Sequence, residues 1–194
     1  MAEHDQQIAL QRRPPIAEIV RPDLMLTMEN AIGIAKLQLL EDRMDHDVAH
    51  VVGIPAPSTG TQVEADGLTV AWLAPGEWLL LGAEDLVAAR LPEIDARSGG
   101  TALIVDVTHA RVSFLLTGAN ARGALAAHCP LDFWPAAFPV NTVARTLLGD
   151  TGMFIARLKD TADGPCFRVI VDQTMGTYAA RMIAGPSMHP GARP

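Results

Sequence analysis

Apolar residues alternate with polar ones through IAKLQLL (residues 34–40), the two-residue period of a strand with one buried face. DHDVAHVVGI (residues 45–54) predicts a short helix, with Asp45 as its cap and Gly53 at its end. LTVAWLA and EWLLLGA (residues 68–74 and 77–83) read as two strands joined by the turn pair Pro75-Gly76. EDLVAARL starts acidic and reaches Arg90 before Pro92, the charge order a helix dipole favours, so a helix is expected to stop there. TALIVDV is a continuous apolar run of the kind expected for a buried strand.

The theme then returns. RVSFLLTG is a strand, and ANARGALAAHC is an Ala-rich helix opening at Gly118-Ala119-Asn120. NTVARTLLG, GMFIARLKD and CFRVIVDQ are three strands separated by Asp/Gly turns. TMGTYAARMIAG predicts a closing helix with Thr174 in the cap position and Gly185 as its stop. A strand–helix–strand–strand order used twice implies an α+β fold, with antiparallel sheets and helices on one face of each. Residues 23–185 form this single domain, in two lobes of about 23–107 and 108–185. Residues 1–22, with their RRPP and RP breakers, read as an extended arm, either a frayed terminus or a segment that orders on a partner. Residues 186–194 are a Gly/Pro tail.

Composition narrows the function. Hydrophobic residues make up 49% and charged ones 19% of the 194, which fits a folded chain. A formal charge of −7 supplies no attraction to nucleic acid or to an anionic membrane surface. No run approaches the length of a membrane-spanning helix, and no apolar stretch follows the N-terminal arginines. Cys129 and Cys166 lie far apart with no CxxC companion, which fits a reducing cytoplasm better than a disulfide framework.

The stretch DVTHARVSFLLTGANARGALAAHCPLDF (residues 106–133) gathers the side-chain types of a nucleophilic or metal site. Its spacing argues against one. On a strand, Asp106 and Thr108 share a face and His109 takes the other, so Asp106 and Thr108 are expected to bond locally to backbone, with His109 at the surface. Cys129 stands at the C-terminal end of its helix before Pro130, the wrong end to activate a thiolate, and is expected to be buried and inert. His46 and His50 have i, i+4 spacing but lack a companion glutamate or a third ligand. Neither GxGxxG nor GxxxxGK[ST] is present. The residues therefore predict no catalytic, cofactor or metal site within this chain.

WLAPGEWLLLG, the 106–133 stretch with its continuation through FWPAAFPVNTVARTLLGDTGMFIARL, and FRVIVDQTMGTYAARMI carry a resemblance. Their features are Pro-x-Glu-Trp-Leu-Leu around Trp78 and Asp-x-(Ser/Thr)-x-x-Arg at Asp106, Thr108 and Arg111. Leu-x-Gly-x-x-Ala follows at Gly118, then Cys-Pro-Leu-Asp at Cys129, Pro130, Leu131 and Asp132. Phe-Pro-Val comes at Phe138, and Arg-x-x-x-x-x-(Ser/Thr) ends on Thr174, where a serine is common. In this order the segments resemble the gamma subunits of heterotetrameric sarcosine oxidases. The resemblance covers residues 68–183 well and the N-terminal third by position and length.

The resemblance implies a fold like the folate-binding domain of aminomethyltransferases (the glycine-cleavage T-protein). It implies a non-catalytic gamma subunit of a cytoplasmic complex with alpha, beta and delta partners. That complex would demethylate sarcosine to glycine, giving hydrogen peroxide with formaldehyde or methylenetetrahydrofolate. FAD, FMN, NAD, tetrahydrofolate and zinc would be held by the other subunits. Under it, Trp78, Asp106, Thr108, Arg111, Gly118, Cys129, Pro130, Asp132, Trp134 and Phe138 are signature or interface residues. The FWPAAFPV loop either forms an apolar docking patch or covers the core beneath it. Two alternatives stay open: an independent folate-binding one-carbon transferase module, with Asp106 as its one candidate carboxylate, and the equivalent subunit of another N-methyl amine demethylase.

Overall fold

The computed structural model describes residues 18–40 and 47–185. It is an α+β fold of two antiparallel sheets packed face to face, each with helices on its outer face. The strands are β1 (Glu18–Arg21), β2 (Leu24–Met28), β3 (Ile32–Leu39), β4 (Gln62–Ala65), β5 (Leu68–Ala74), β6 (Glu77–Ala83), β7 (Ala102–Asp106), β8 (Arg111–Thr117), β9 (Val143–Leu148), β10 (Thr151–Thr161) and β11 (Gly164–Asp172). The helices are α1 (Asp47–Val52), α2 (Glu84–Ser98), α3 (Ala121–Ala126) and α4 (Gly176–Ala184). One sheet has the order β1-β2-β8-β11-β10-β9, the other β4-β5-β6-β3-β7.

Side-chain alternation explains the layers. In β6, Trp78 and Leu80 point to the core under α1 and α2, while Leu79 and Leu81 point to the core between the sheets. With both faces covered, the strand reads as a near-continuous apolar run. Leu116, Phe167 and Val169 pack beneath α3 and α4 in the same way. Ile34, Phe154, Ala156 and Ile170 close the space between the sheets.

The two halves have one connectivity, with an exchange. β3-α1-β4-β5-β6-α2 and β8-α3-β9-β10-β11-α4 match element for element, and each strand's place in its sheet matches too. The strand before each unit pairs with the other unit: β2 precedes β3 but joins β8, and β7 precedes β8 but joins β3. Both crossings are fastened alike, by Glu29 N donating to Ser113 O and Val107 N donating to Ile34 O, each at 2.9 Å.

Several local expectations need correction. α2 does not stop before Pro92 but runs on to Ser98, capped by Gly99 in the left-handed region. Pro92 removes one helical donor, but Pro92 and Ala88, whose carbonyl loses that donor, both lie on the exposed face of the helix, where the loss costs least. The last turn gains the buried Ile94 and Ser98, and Arg97 donates to Val51 O (2.9 Å) and Val52 O (2.7 Å), capping α1. β7 is an edge strand, not a buried one, because among the described residues only β3 pairs with it, and Leu103 and Val105 are exposed. Residues 18–21, read as part of an arm, pair with β2, because Ile19 packs on the core under α3 and α4. Thr174 lies inside a 3₁₀ turn, Gln173–Met175, and Met175 takes the cap position without a side-chain bond. Gly185 ends α4 with φ +66°. Asp45 and His46 lie outside the described residues, as do 1–17 and 186–194.

Candidate functional site

The junction between the halves is built where β7 hands the chain to β8. The strand stops at Asp106, and Thr108–Ala110 forms a 3₁₀ turn. Asp106 Oδ1 accepts the Thr108 N–H at 2.8 Å, an Asx-type turn that needs no other residue. The Thr108 hydroxyl accepts the Ile34 N–H at 2.9 Å and donates to the Ile34 carbonyl at 3.3 Å, completing the β3 ladder where β7 has ended. Bonds from Thr108 hold the Asp106 carboxyl below the usual carboxylate range, with nearby His109 adding to the effect. His109 is exposed, 3.8 Å from Glu84. Arg111 opens β8 and pairs with Asp172, its cross-strand partner on β11. Asp106, Thr108 and Arg111 thus come together at a junction that ties the end of β7 to β3 and the start of β8 to β11.

The matching crossing, at the end of β2, carries a stronger polar cluster. Glu29 accepts Arg168 Nε at 2.7 Å and Nη2 at 2.8 Å, and also the Ser113 hydroxyl at 2.6 Å. Both partners are largely buried. They form one wall of a cleft of about 640 Å³ between the sheets, whose other lining includes Gln62, Thr69, Lys159 and Cys166. Burial pushes the Cys166 thiol up, so it stays protonated and is no nucleophile at neutral pH. Glu29 engages the Arg168 guanidinium through Nε and Nη2. Thr69 and Glu64, which both line the cleft, are cross-strand partners on β5 and β4.

A second opening, of about 210 Å³, lies between Lys36, Leu79, Arg111, Arg145 and Phe154. Lys36 is engaged by Glu77 at 3.0 Å and Arg111 by Asp172. Among the described residues, no group of His, Cys, Asp and Glu side chains is placed to hold a metal. His50 is exposed in the last turn of α1.

The remaining sequence candidates separate by burial. Trp78 is fully buried beneath α1 and α2. Gly118 has φ +118°, and a Cβ there would stand 2.4 Å from the Asp23 carbonyl oxygen, so this strand-to-helix turn needs glycine. Cys129 is buried, its Sγ 3.7 Å from the Thr146 hydroxyl. α3 itself ends at Ala126, and the Cys129 N–H continues the turn to Leu125 O. Pro130 and Asp132 are exposed, and Asp132 Oδ1 accepts the Trp134 N–H at 2.9 Å.

The FWPAAFPV loop divides in two. Phe133 and Phe138 point into the core, edge-on to each other at 5.6 Å, with Phe133 edge-on to Phe167 at 5.7 Å. Phe138 is therefore buried in the core of this chain, because the loop folds its rings inward over β11. Trp134 alone of the three aromatics turns out, 68% exposed, with the Arg122 guanidinium 6.0 Å from its ring centroid.

Sequence reasoning missed Glu29, Gln62 and Thr69 as cleft residues. Arg168 entered only as part of a motif. Nothing in the local pattern around Glu29 signals a partner 139 positions away.

Residues 41–180 match the family model described as "Sarcosine oxidase, gamma subunit family". Among solved structures, the fold is similar to a chain of the heterotetrameric sarcosine oxidase from Corynebacterium sp. U-96, solved in complex with pyrrole 2-carboxylate. The match has a TM-score of 0.75 and 22% identity over 93% of this chain and 99% of that one. It is also similar to the glycine cleavage system aminomethyltransferase T from Bartonella henselae, with a TM-score of 0.65 and 16% identity. That match covers 86% of this chain and 47% of the other, so this chain spans about half the length of the aminomethyltransferase. Comparison with the sequences of curated proteins gives no significant match.

Proposed function

The chain belongs to the sarcosine oxidase gamma subunit family, and from that membership we propose that it is a non-catalytic subunit supporting assembly of a heterotetrameric sarcosine oxidase. Its partners are the alpha, beta and delta subunits of a cytoplasmic complex. FAD, FMN, NAD, tetrahydrofolate and zinc reside in those other subunits, where sarcosine is demethylated to glycine.

The observation that carries the assembly role is the pairing of Trp134 with Arg122. The ring is 68% exposed on a fastened support: the Trp134 main-chain N–H donates to Asp132 Oδ1, the Arg122 guanidinium lies 6.0 Å from the ring centroid, and Arg122 Nε donates to Phe133 O at 3.1 Å. Trp and Arg on a rigid support are the residue types that anchor protein interfaces, because little conformational freedom is lost on docking.

The test is purification of a tagged chain from its native cells, with the visible spectrum recorded and partners identified by mass. A yellow complex with two large and one small partner is expected. A colourless, stable monomer would overturn the proposal, and folate titration would then be the next measurement.

A further inference from the structure

We propose that the outer edge of β7 is the seat of a strand supplied by another subunit, which adds antiparallel to β7 as β1 adds to β2. The inference rests on the subunit reading and names the surface that reading leaves open.

Internal symmetry carries the argument. β2 and β7 are the exchanged strands, and the bonds of Glu29 N to Ser113 O and Val107 N to Ile34 O set their equivalence, so Ile104 stands where Leu26 stands. β2 has a further neighbour: β1 covers its outer edge, with Ile19 opposite Leu26 and Val20 opposite Met25. The place beside β7 that corresponds to β1 is empty among the described residues, leaving that sheet five strands against six.

The bare edge has the chemistry of a pairing surface. Val107 N and Thr101 O bond to β3, which turns the N–H and C=O groups of Ala102 and Ile104 outward by the alternation of an antiparallel ladder. Every outermost strand carries a charge, Glu18 and Arg21 on β1, Glu64 on β4, Arg145 on β9 and Asp106 on β7, but that of β7 stands at its last position and is turned onto the Thr108 N–H. β7 reads ALIVD, with no proline, no lysine and no bulge to deter pairing. Leu103 and Val105 are 50% and 41% exposed, and both lie on the face that packs against the other sheet, Val105 being the cross-strand partner of Lys36.

An incoming segment of about four residues, apolar on both faces, would cover Ile104 on one side and Leu103 and Val105 on the other. A segment of another polypeptide is the occupant, because the family assembly is built from unlike chains and β1 shows that so short a strand suffices.

Hydrogen exchange on the full chain, alone and in the purified assembly, tests this. The Ala102 and Ile104 amides should exchange about 100-fold or more slowly in the assembly than in the free chain, as paired strand amides do. Ile104→Pro removes a donor that β3 does not use, so the chain should fold but lose its place in the assembly. Ile104→Ala, which keeps that donor, separates lost packing from lost pairing and should retain assembly.

Unchanged exchange in an assembly that does form would overturn the edge proposal while leaving the subunit reading intact. Failure to recover any partner would instead sink the subunit reading. Protection already present in the dilute free chain would mean that the chain covers its own edge. A concentration-dependent dimer abolished by Ile104→Pro would give the edge to a second copy. Either result would overturn the proposal.

Discussion

Glu29 and Arg168, 139 positions apart, form a two-pronged ion pair at 2.7 and 2.8 Å that ties the β2–β3 crossing to the middle of β11. The Ser113 hydroxyl satisfies the same carboxylate from β8. Removing one member leaves the other charge partly buried and unpaired, whereas replacing both removes the desolvation cost along with the attraction. Glu29→Met and Arg168→Met, made singly, are each expected to cost about 2–4 kcal/mol. The double variant Glu29→Met/Arg168→Met should recover much of that loss. Urea unfolding of the four proteins in the cycle checks it, and additive effects would show that the pair is uncoupled.

Asp106 gives a pH signature. Its folded carboxyl lies below the ordinary range because it accepts bonds from Thr108. Its stabilisation is therefore fully present above the unfolded carboxylate pKa of about 3.9 and is lost as pH falls through the lowered folded value. The group is exposed, so the effect is small, about 0.5–1 kcal/mol. Wild type should exceed Asp106→Asn in stability by that amount at pH 7, with the gap closing below about pH 4. A gap that persists in acid would assign the difference to shape and not to charge.

Gly118 is a backbone requirement. Its φ of +118° and the 2.4 Å approach a Cβ would make to Asp23 O leave no room for any side chain. Asn120 N donates to the same Asp23 carbonyl at 3.0 Å, so the β1–β2 turn cannot retreat without losing a bond. Gly118→Ala is expected to destabilise by about 3 kcal/mol or more, since conformational strain and a backbone clash add. Gly152→Ala, where nothing lies within 4 Å of the added carbon, is the control and should be nearly silent in thermal melts.

What could be read in the sequence follows from how local each determinant is. The alternation in IAKLQLL and the Pro75-Gly76 pair fix β3 and the β5–β6 hairpin within a few residues, so both were legible. The local bond of Asp106 to Thr108 was legible for the same reason, but the Thr108 hydroxyl, expected to bond locally from a strand, sits in a 3₁₀ turn and reaches Ile34, 74 positions away. β7 was not: TALIVDV has the composition of a central strand, and only the long-range order of the sheet makes it an edge. α2 was cut short in the reading because the cost of Pro92 is local, while the compensating contacts of Arg97 with Val51 and Val52 are not. Glu29 escaped because its partners lie on β8 and β11. The FWPAAFPV loop could be split into core and surface only once β11 was in place beneath it.

That split separates stability from assembly. Phe138 is 4% exposed and packs on Phe133 and Phe167, so Phe138→Ala removes a buried ring and leaves a cavity, at an expected cost of about 3–5 kcal/mol. Trp134 contributes little to that core. Trp134→Ala should change the unfolding free energy of the chain by less than about 0.5 kcal/mol. If Trp134 anchors a partner, the same substitution should weaken assembly by at least about 2 kcal/mol, a loss of roughly 30-fold in affinity. Arg122→Ala should weaken assembly less, because it steadies the ring without supplying most of the contact area. Melts of the free variants, set beside titration of each into the remaining subunits, give both quantities. A Trp134→Ala chain that assembles with unchanged affinity would remove the ring from the interface and leave the edge of β7 to be tried without it.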